Sequence, residues 1–322
     1  MAETTRVAAP RVSVVMPMRD AAPYLAEAIE SILAQTFGDF EFWIIDDAST
    51  DDSCAIADEY ARRDARIQVH RGAFGGLAYW LREGVLRARG ALIARMDADD
   101  VSHPARFARQ VAYLDAHPEC VGVSSDVLIV DPERRPIRRH RAPRSHEEIE
   151  QALWRAAGAL ACPMLRRSAV LQVGNYRADR TGAEDADLYL RLAEIGRLSN
   201  LPETLYEYRR HPRSIGAVQR VEQTRIRKLV RAEALQRRGL PQSQLAAVPD
   251  RADVSPQDLW YEWARAALGD GYLDTSRHYA RRLLRAEPLR LRSWRLLVRA
   301  ALGLSLSHLH DDPPVEGDSR CG

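Results

Sequence analysis

The sequence predicts an α/β fold, a mostly parallel sheet covered by helices on both faces, with a separate helical segment toward the carboxyl end. Three observations predict it. Short β-rich runs alternate with amphipathic helical stretches through the first half of the chain. Acidic clusters stand where two of those runs end. From about residue 217 the pattern becomes almost wholly helical.

Taken in order, the candidate strands are Val12 to Met16, Glu41 to Ile45, Ile67 to His70 and Ala91 to Met96. Between the first two, Leu25, Ile29, Ile32 and Leu33 recur at helical spacing, with Asp20 expected as the cap and Pro23 in the first turn. Leu77, Leu81, Val85 and Ala88 mark a helix before the fourth strand, and Phe107, Val111 and Leu114 mark one after it. Residues 120 to 130, CVGVSSDVLIV, read as a strand pair or one bent strand. An arginine-rich stretch from Arg134 through Arg144 follows. Two helices and a second acidic site, Glu184-Asp185, come after it.

The predicted organisation is a free N-terminus over 1–10, a catalytic α/β domain over 11–216, a helical linker over 217–256, a small helical domain over 257–305 and a tail over 306–322 expected to lack order. Pro241, Pro249 and Pro256 punctuate the linker. In the helical region Trp260, Trp263, Ala267, Gly271, Leu273, Tyr279, Ala280, Leu284 and Pro288 are spaced as in a tetratricopeptide-like hairpin.

Composition narrows the functional classes. With 322 residues, 46% hydrophobic and 29% charged, the chain is long enough for a large core and unlike a disordered chain. A formal charge of +2 provides no global field to recruit nucleic acid. Cys54, Cys120, Cys162 and Cys321 form no C-x-x-C pair, which argues against structural zinc or a disulfide framework and fits a reducing cytoplasm. The opening MAETTRVAAPR has no apolar signal core, and no uncharged apolar run of about 18 residues occurs. The expectation is a cytoplasmic protein, at most peripheral to a membrane.

The chemistry concentrates at strand ends, where ligands bind in open α/β sheets. In Asp97-Ala98-Asp99-Asp100, alternate residues of an extended backbone face the same way, so two carboxylates share one side. Such a pair suits magnesium or manganese, which take hard oxygen ligands and bridge protein carboxylates to substrate phosphates. Asp99 is the first choice of metal ligand, with Asp97 toward ribose or metal and Asp100 in support. Alone, the cluster reads as readily as a solvated turn that caps the next helix. A second acidic pair, Asp46-Asp47, ends the neighbouring strand and precedes a polar turn.

The stretch VSVVMPMRDAAPYLAEAIESILAQTFGDFEFWIIDDASTDDS, followed by ARGALIARMDADD, resembles family 2 glycosyltransferases of the GT-A fold over roughly residues 11 to 216. The resemblance implies nucleobase and ribose contacts at Pro17, Arg19 and Asp47, and nucleotide and metal contacts at Asp97 and Asp99. It further implies a catalytic base in an E-D motif preceded by G-x-Y, matched by Glu184-Asp185 after Gly174-Asn175-Tyr176, with Asp185 as the base. Tyr208-Arg209-Arg210-His211 resembles the family's distal Y-R-x-H, which makes His211 a metal or diphosphate ligand. Departures from the pattern are Ala48 where the family often has Gly, Arg19-Asp20 where Tyr-Asn is common, and the neighbourhood of Arg82, where a nucleotide-contacting Asn is replaced.

By the same resemblance, the implied reaction is an inverting transfer from a nucleotide-diphosphate sugar, most simply a UDP-sugar, to a saccharide or lipid-linked acceptor in cell-surface polysaccharide synthesis. The cofactor would be Mn2+ or Mg2+. The arginine stretch would meet phosphates of such an acceptor or an anionic membrane, or else be a solvated loop. The helical tail would serve oligomer or partner contacts. Two other readings share acidic strand ends: a nucleotide-sugar-binding scaffold without catalysis, and a nucleotidyltransferase.

Overall fold

The structure is a computed structural model that describes residues 9–155, 158–214, 220–241, 243 and 255–303. The chain divides into two compact units, one of residues 1–132 and 140–253, the other of residues 133–139 and 254–322.

The first unit carries β1 (Val12–Met18), α1 (Ala22–Leu33), β2 (Phe40–Asp47), α2 (Ser53–Arg63), β3 (Ile67–Gly72), α3 (Leu77–Arg87) and β4 (Leu92–Arg95). Next come β5 (Val101–Ser102), α4 (Arg106–Ala116) and β6 (Cys120–Val130), with β7 (Pro136–His140) begun in the second unit. After them stand α5 (His146–Trp154), β8 (Met164–Arg166), α6 (Arg167–Gln172), a 3-10 turn (Ala178–Arg180), α7 (Glu184–Leu192), β9 (Arg197–Arg209) and α8 (Arg220–Arg238).

The sheet order is β3-β2-β1-β4-β8-β6-β9-β5. β1 pairs in parallel with β2 and β4, and β2 with β3, whereas β8 is antiparallel to β4 and β6. The sheet is therefore parallel in its first half and mixed in its second. Every residue of β1 is buried, because the strand is central and covered on both faces.

The strand's twofold alternation divides the core. Val12, Val14 and Met16 join Leu25, Ile29 and Ile32 of α1 and Phe107 of α4 on one face. Val15 joins Leu81 and Val85 of α3, Leu188 of α7 and Val230 of α8 on the other. Close approach of α3 needs Gly84, where a Cβ would lie 2.3 Å from Val15 Cγ1.

Some local expectations change. Asp20 does not cap α1: Ala21 occupies the cap position without a side-chain bond, and Asp20 Oδ1 instead accepts from the Thr50 amide at 2.7 Å. The polar turn after β2 competes for that carboxylate and wins. Residues 120–130 form one strand with register shifts near Ser125 and Asp126, a bent strand rather than a pair. Residues 220–238, expected in a linker, bury Ile226, Val230 and Ala234 in the second core face of the first unit.

In the second unit α9 (Pro256–Gly269), α10 (Leu273–Ala286) and α11 (Leu291–Leu302) follow one another. Trp263 and Tyr279, 2% and 1% exposed, meet edge to face at 5.1 Å between ring centroids. Ser255 caps α9 by accepting from the Asp258 amide at 3.1 Å. The expected tail over 306–322 lies outside the described residues. No described helix is long and apolar enough to cross a membrane.

Candidate active site

The chain leaves β4 as Met96-Asp97-Ala98-Asp99-Asp100 and returns at once as the short β5, which pairs antiparallel with β9 through Val101 with Glu207 and Ser102 with Tyr206. That pairing brings the end of β9 over the acidic turn. The Arg209 amide donates to Asp100 Oδ1 at 2.7 Å, and Arg209 Nε donates to the Asp99 carbonyl at 2.7 Å. His211 Nε2 lies 2.9 Å from Asp99 Oδ2, so the D-x-D and Y-R-x-H segments meet.

Asp100 is buried, and its Oδ2 has no hydrogen-bond partner among the described residues. Burial, with the charges of Asp99 and Asp97 added, pushes its carboxyl well above the usual carboxylate range. His211 Nδ1 is likewise buried without a partner among the described residues. Asp97, Asp100 and Cys162 each present a ligand atom within 4.8 Å of the others. Crowded carboxylates with an unsatisfied buried oxygen are the donor set a divalent cation relieves, so the residues fit such an ion.

One residue ties this turn to the second acidic site. Arg95 Nε donates to Asp97 Oδ1 at 3.0 Å, and its Nη1 donates to Glu184 Oε1 at 3.2 Å. Burial alone would lower its pKa, but Asp97 and Glu184 outweigh it and hold the guanidinium charged. Glu184 Oε2 also accepts from the Gly182 amide at 2.8 Å. Burial, opposed by Arg95 and reinforced by Asp185, raises the Glu184 carboxyl above its ordinary value. Asp185 stands half-buried in the first turn of α7, its Oδ1 accepting from the Ala186 amide at 2.7 Å.

The remaining sequence candidates are spread around the ends of β1 to β3. Pro17 is buried within β1. Arg19 lays its guanidinium over the ring of Phe74 at 4.4 Å, and Phe74 is 68% exposed. Asp47 is turned inward: its carboxylate accepts from the Gly75 amide at 2.6 Å, the Gly76 amide at 3.1 Å and Trp80 Nε1 at 2.7 Å. It orders the glycine loop after β3. Arg82 pairs its exposed guanidinium with Glu83 at 3.4 Å, while its carbonyl accepts from Asn175 Nδ2 at 3.1 Å.

No role was legible in the sequence for Arg95, Arg209 or Cys162. A signal existed for Arg95, a charge ending an otherwise apolar strand two residues before Asp97 and hence on the same face. For Cys162, whose Sγ lies 3.6 Å from Asp97 Oδ2, sixty-odd residues of separation left none.

An α/β sheet of this order, parallel in its first half and mixed in its second, with an acidic turn leaving β4 and a second acidic site on α7, is a fold of the GT-A type. The sequence model described as Glycosyl transferase family 2 matches residues 13–174. EpsE of Bacillus subtilis, described as a glycosyltransferase, is 36% identical over 208 residues, covering 62% of this chain and 73% of its own. The O-antigen biosynthesis glycosyltransferase WbnJ of Escherichia coli is 32% identical over 211 residues, 63% of this chain and 81% of that one. The solved structure of S. aureus TarS 1-349 with UDP-GlcNAc shares the fold at a TM-score of 0.58 and 16% identity, covering 90% of this chain and 79% of that chain. Mannosyltransferase PcManGT of Pyrobaculum calidifontis, in complex with GDP-Man and Mn2+, does so at 0.55 and 20%, covering 93% and 82%. The chain belongs to glycosyl transferase family 2, and it is a glycosyltransferase.

Proposed function

We propose that this glycosyltransferase inverts configuration as it moves a sugar from a nucleoside-diphosphate donor to a hydroxyl of a saccharide or lipid-linked acceptor. The observation that carries the reading is the buried Arg95 bridge, which sets the first turn of α7 beside the acidic turn of β4. The donor's diphosphate belongs at Asp97, Asp99 and His211, and the acceptor at Asp185. The acceptor hydroxyl gives its proton to Asp185 as its oxygen bonds to the anomeric carbon. The bond from that carbon to the diphosphate oxygen breaks on the opposite face, and the nucleoside diphosphate leaves.

Asp99 and His211, with Asp97 and Asp100 behind them, are the residues to hold Mn2+ or Mg2+, which would offset the charge of the departing diphosphate. Arg19 and Phe74 offer a stacked cationic and aromatic surface for the base, with Pro17 near the end of the adjoining β1. Asp47 contributes by fixing the loop of Gly75 and Gly76. Neighbours solved with UDP-GlcNAc and with GDP-Man and Mn2+ support a nucleotide-sugar donor and a cation. Relatives named for O-antigen and amylovoran biosynthesis support a cell-surface polysaccharide product. The catalytic domain is taken as residues 11–216 and the helical domain as 257–305, the latter for oligomer or partner contact.

NMR of the product's anomeric proton tests the stereochemistry. Inversion relative to the donor is expected, and retention would contradict it. Asp185→Asn should lower kcat by about 10²- to 10⁴-fold, the range for loss of a positioned base.

A further inference from the structure

The second unit holds a cleft of about 1160 Å³, lined by Arg135 and by α10 from Thr275 to Arg285. Its charge is one-sided. Four arginines stand on α10, Arg277, Arg281, Arg282 and Arg285, against a single acid, Asp274. Asp274 is paired to Arg277 at 3.1 Å. Arg281 and Arg285 are exposed and have no carboxylate partner among the described residues.

Arg277, Arg281 and Arg285 recur every four residues, so they line one face with a rise of about 6 Å between neighbours and about 12 Å end to end. Like charges at that spacing repel; Asp274 offsets Arg277, whose Nε also donates to the Ala300 carbonyl at 2.9 Å, and Arg281 and Arg285 are left without a counter-charge among the described residues. Arg282 sits over the indole of Trp260 at 4.0 Å, which fixes the guanidinium plane and leaves its N–H edge to donate. Arg135, paired to Glu133 at 3.0 Å, brings its Nη1 within 3.4 Å of His278 Nε2, so a guanidinium and an imidazole border the same space beside the uncompensated Arg281 and Arg285. Guanidinium groups at this density match phosphate oxygens bidentately.

We propose that this cleft is a binding site for phosphate-bearing ligands carrying two or more phosphate groups, apart from the donor site at β4. The row is longer than one phosphate and suits a diphosphate or adjacent lipid headgroups. The site absorbs one member of the arginine-rich stretch, Arg135, and draws its main charge from a helix distant in sequence. The inference does not depend on the catalytic roles above.

The test uses the full chain and two probes: inorganic pyrophosphate by calorimetry in metal-chelating buffer, and sedimentation with phosphatidylglycerol or phosphatidylcholine vesicles. The Arg281→Ala/Arg285→Ala double variant should weaken anion binding by roughly tenfold or more, with donor hydrolysis unchanged. Arg295→Ala, an exposed arginine on α11 outside the cleft, should stay within about twofold. Pyrophosphate binding without vesicle binding assigns a soluble diphosphate. Binding to phosphatidylglycerol but not phosphatidylcholine vesicles, weakened by the double variant and without calorimetric binding of pyrophosphate, assigns headgroups. Failure of both probes to bind, or equal weakening by Arg295→Ala, overturns the site.

Discussion

Arg95 engages two carboxylates that the proposed reaction uses for different ends, Asp97 toward the donor and Glu184 beside the base. Removing it as Arg95→Met would strand buried Glu184 and half-buried Asp97 without their counter-charge. A destabilisation of about 3 to 5 kcal/mol is expected, readable in urea unfolding, with Arg95→Lys recovering part of it. The candidate site was legible to the extent that Asp97 and Asp99 follow the end of a strand, whereas Glu184-Asp185, at the start of α7, stood out only through the family resemblance. The destination of each side chain was not legible. Asp47 has the sequence signature of a ligand contact, yet its partners are Gly75, Gly76 and Trp80, fixed only once the loop after β3 folds back. Those bonds need Gly72, where a Cβ would lie 1.9 Å from the Trp80 ring. Gly72→Ala should therefore displace Trp80 and weaken donor binding, measured by titration calorimetry.

At the scale of elements, the turn after β2 and the helix α7 carry the clearest consequences. Ala48 adopts φ of 58°, a left-handed conformation that costs an L-residue about 1 to 2 kcal/mol. Ala48→Gly removes that strain but loosens the unfolded chain by about 0.5 to 1 kcal/mol, so a net gain near 0.5 kcal/mol is expected in denaturant unfolding.

On α7, burial would raise the Asp187 carboxyl, but hydrogen bonds from Arg177 and the charge of Arg191 outweigh it and hold its pKa below the ordinary value. A carboxyl depressed on folding stabilises the native state above its unfolded pKa. That contribution should be lost as pH falls below about 4. Arg177→Ala should flatten this limb of the stability-pH curve, followed by thermal melts.

The parallel strands β1, β2 and β4 were legible because each is a largely apolar run ended or followed by a charge, and β3 by its alternating Ile67 and Val69. β5 and β8, two and three residues long, are too short to show any period. β9 escaped because Arg197–Arg209 mixes buried and exposed residues without strict alternation. Its course is set by bulged pairing with β6.

The whole molecule consists of a catalytic unit and a second unit that is discontinuous in sequence, since residues 133–139 belong with 254–322. Within the second unit the Arg139 amide donates to Asp270 Oδ2 at 2.7 Å, a bond that chain order alone would not suggest. A chain ending at residue 253 would leave 133–139 without these partners. It should melt at a lower temperature than the full chain while still binding nucleotide sugar, as thermal shift can read.

In the proposed reaction the acidic turn of β4, with His211 beside Asp99, grips the donor through a divalent cation. Calorimetric titration of a nucleotide sugar into the full chain, with manganese and with chelator, tests it most directly, alongside Asp99→Asn. Binding that requires manganese and is lost in the variant is the predicted result. Equal affinity with and without the metal, unchanged by Asp99→Asn, would contradict it.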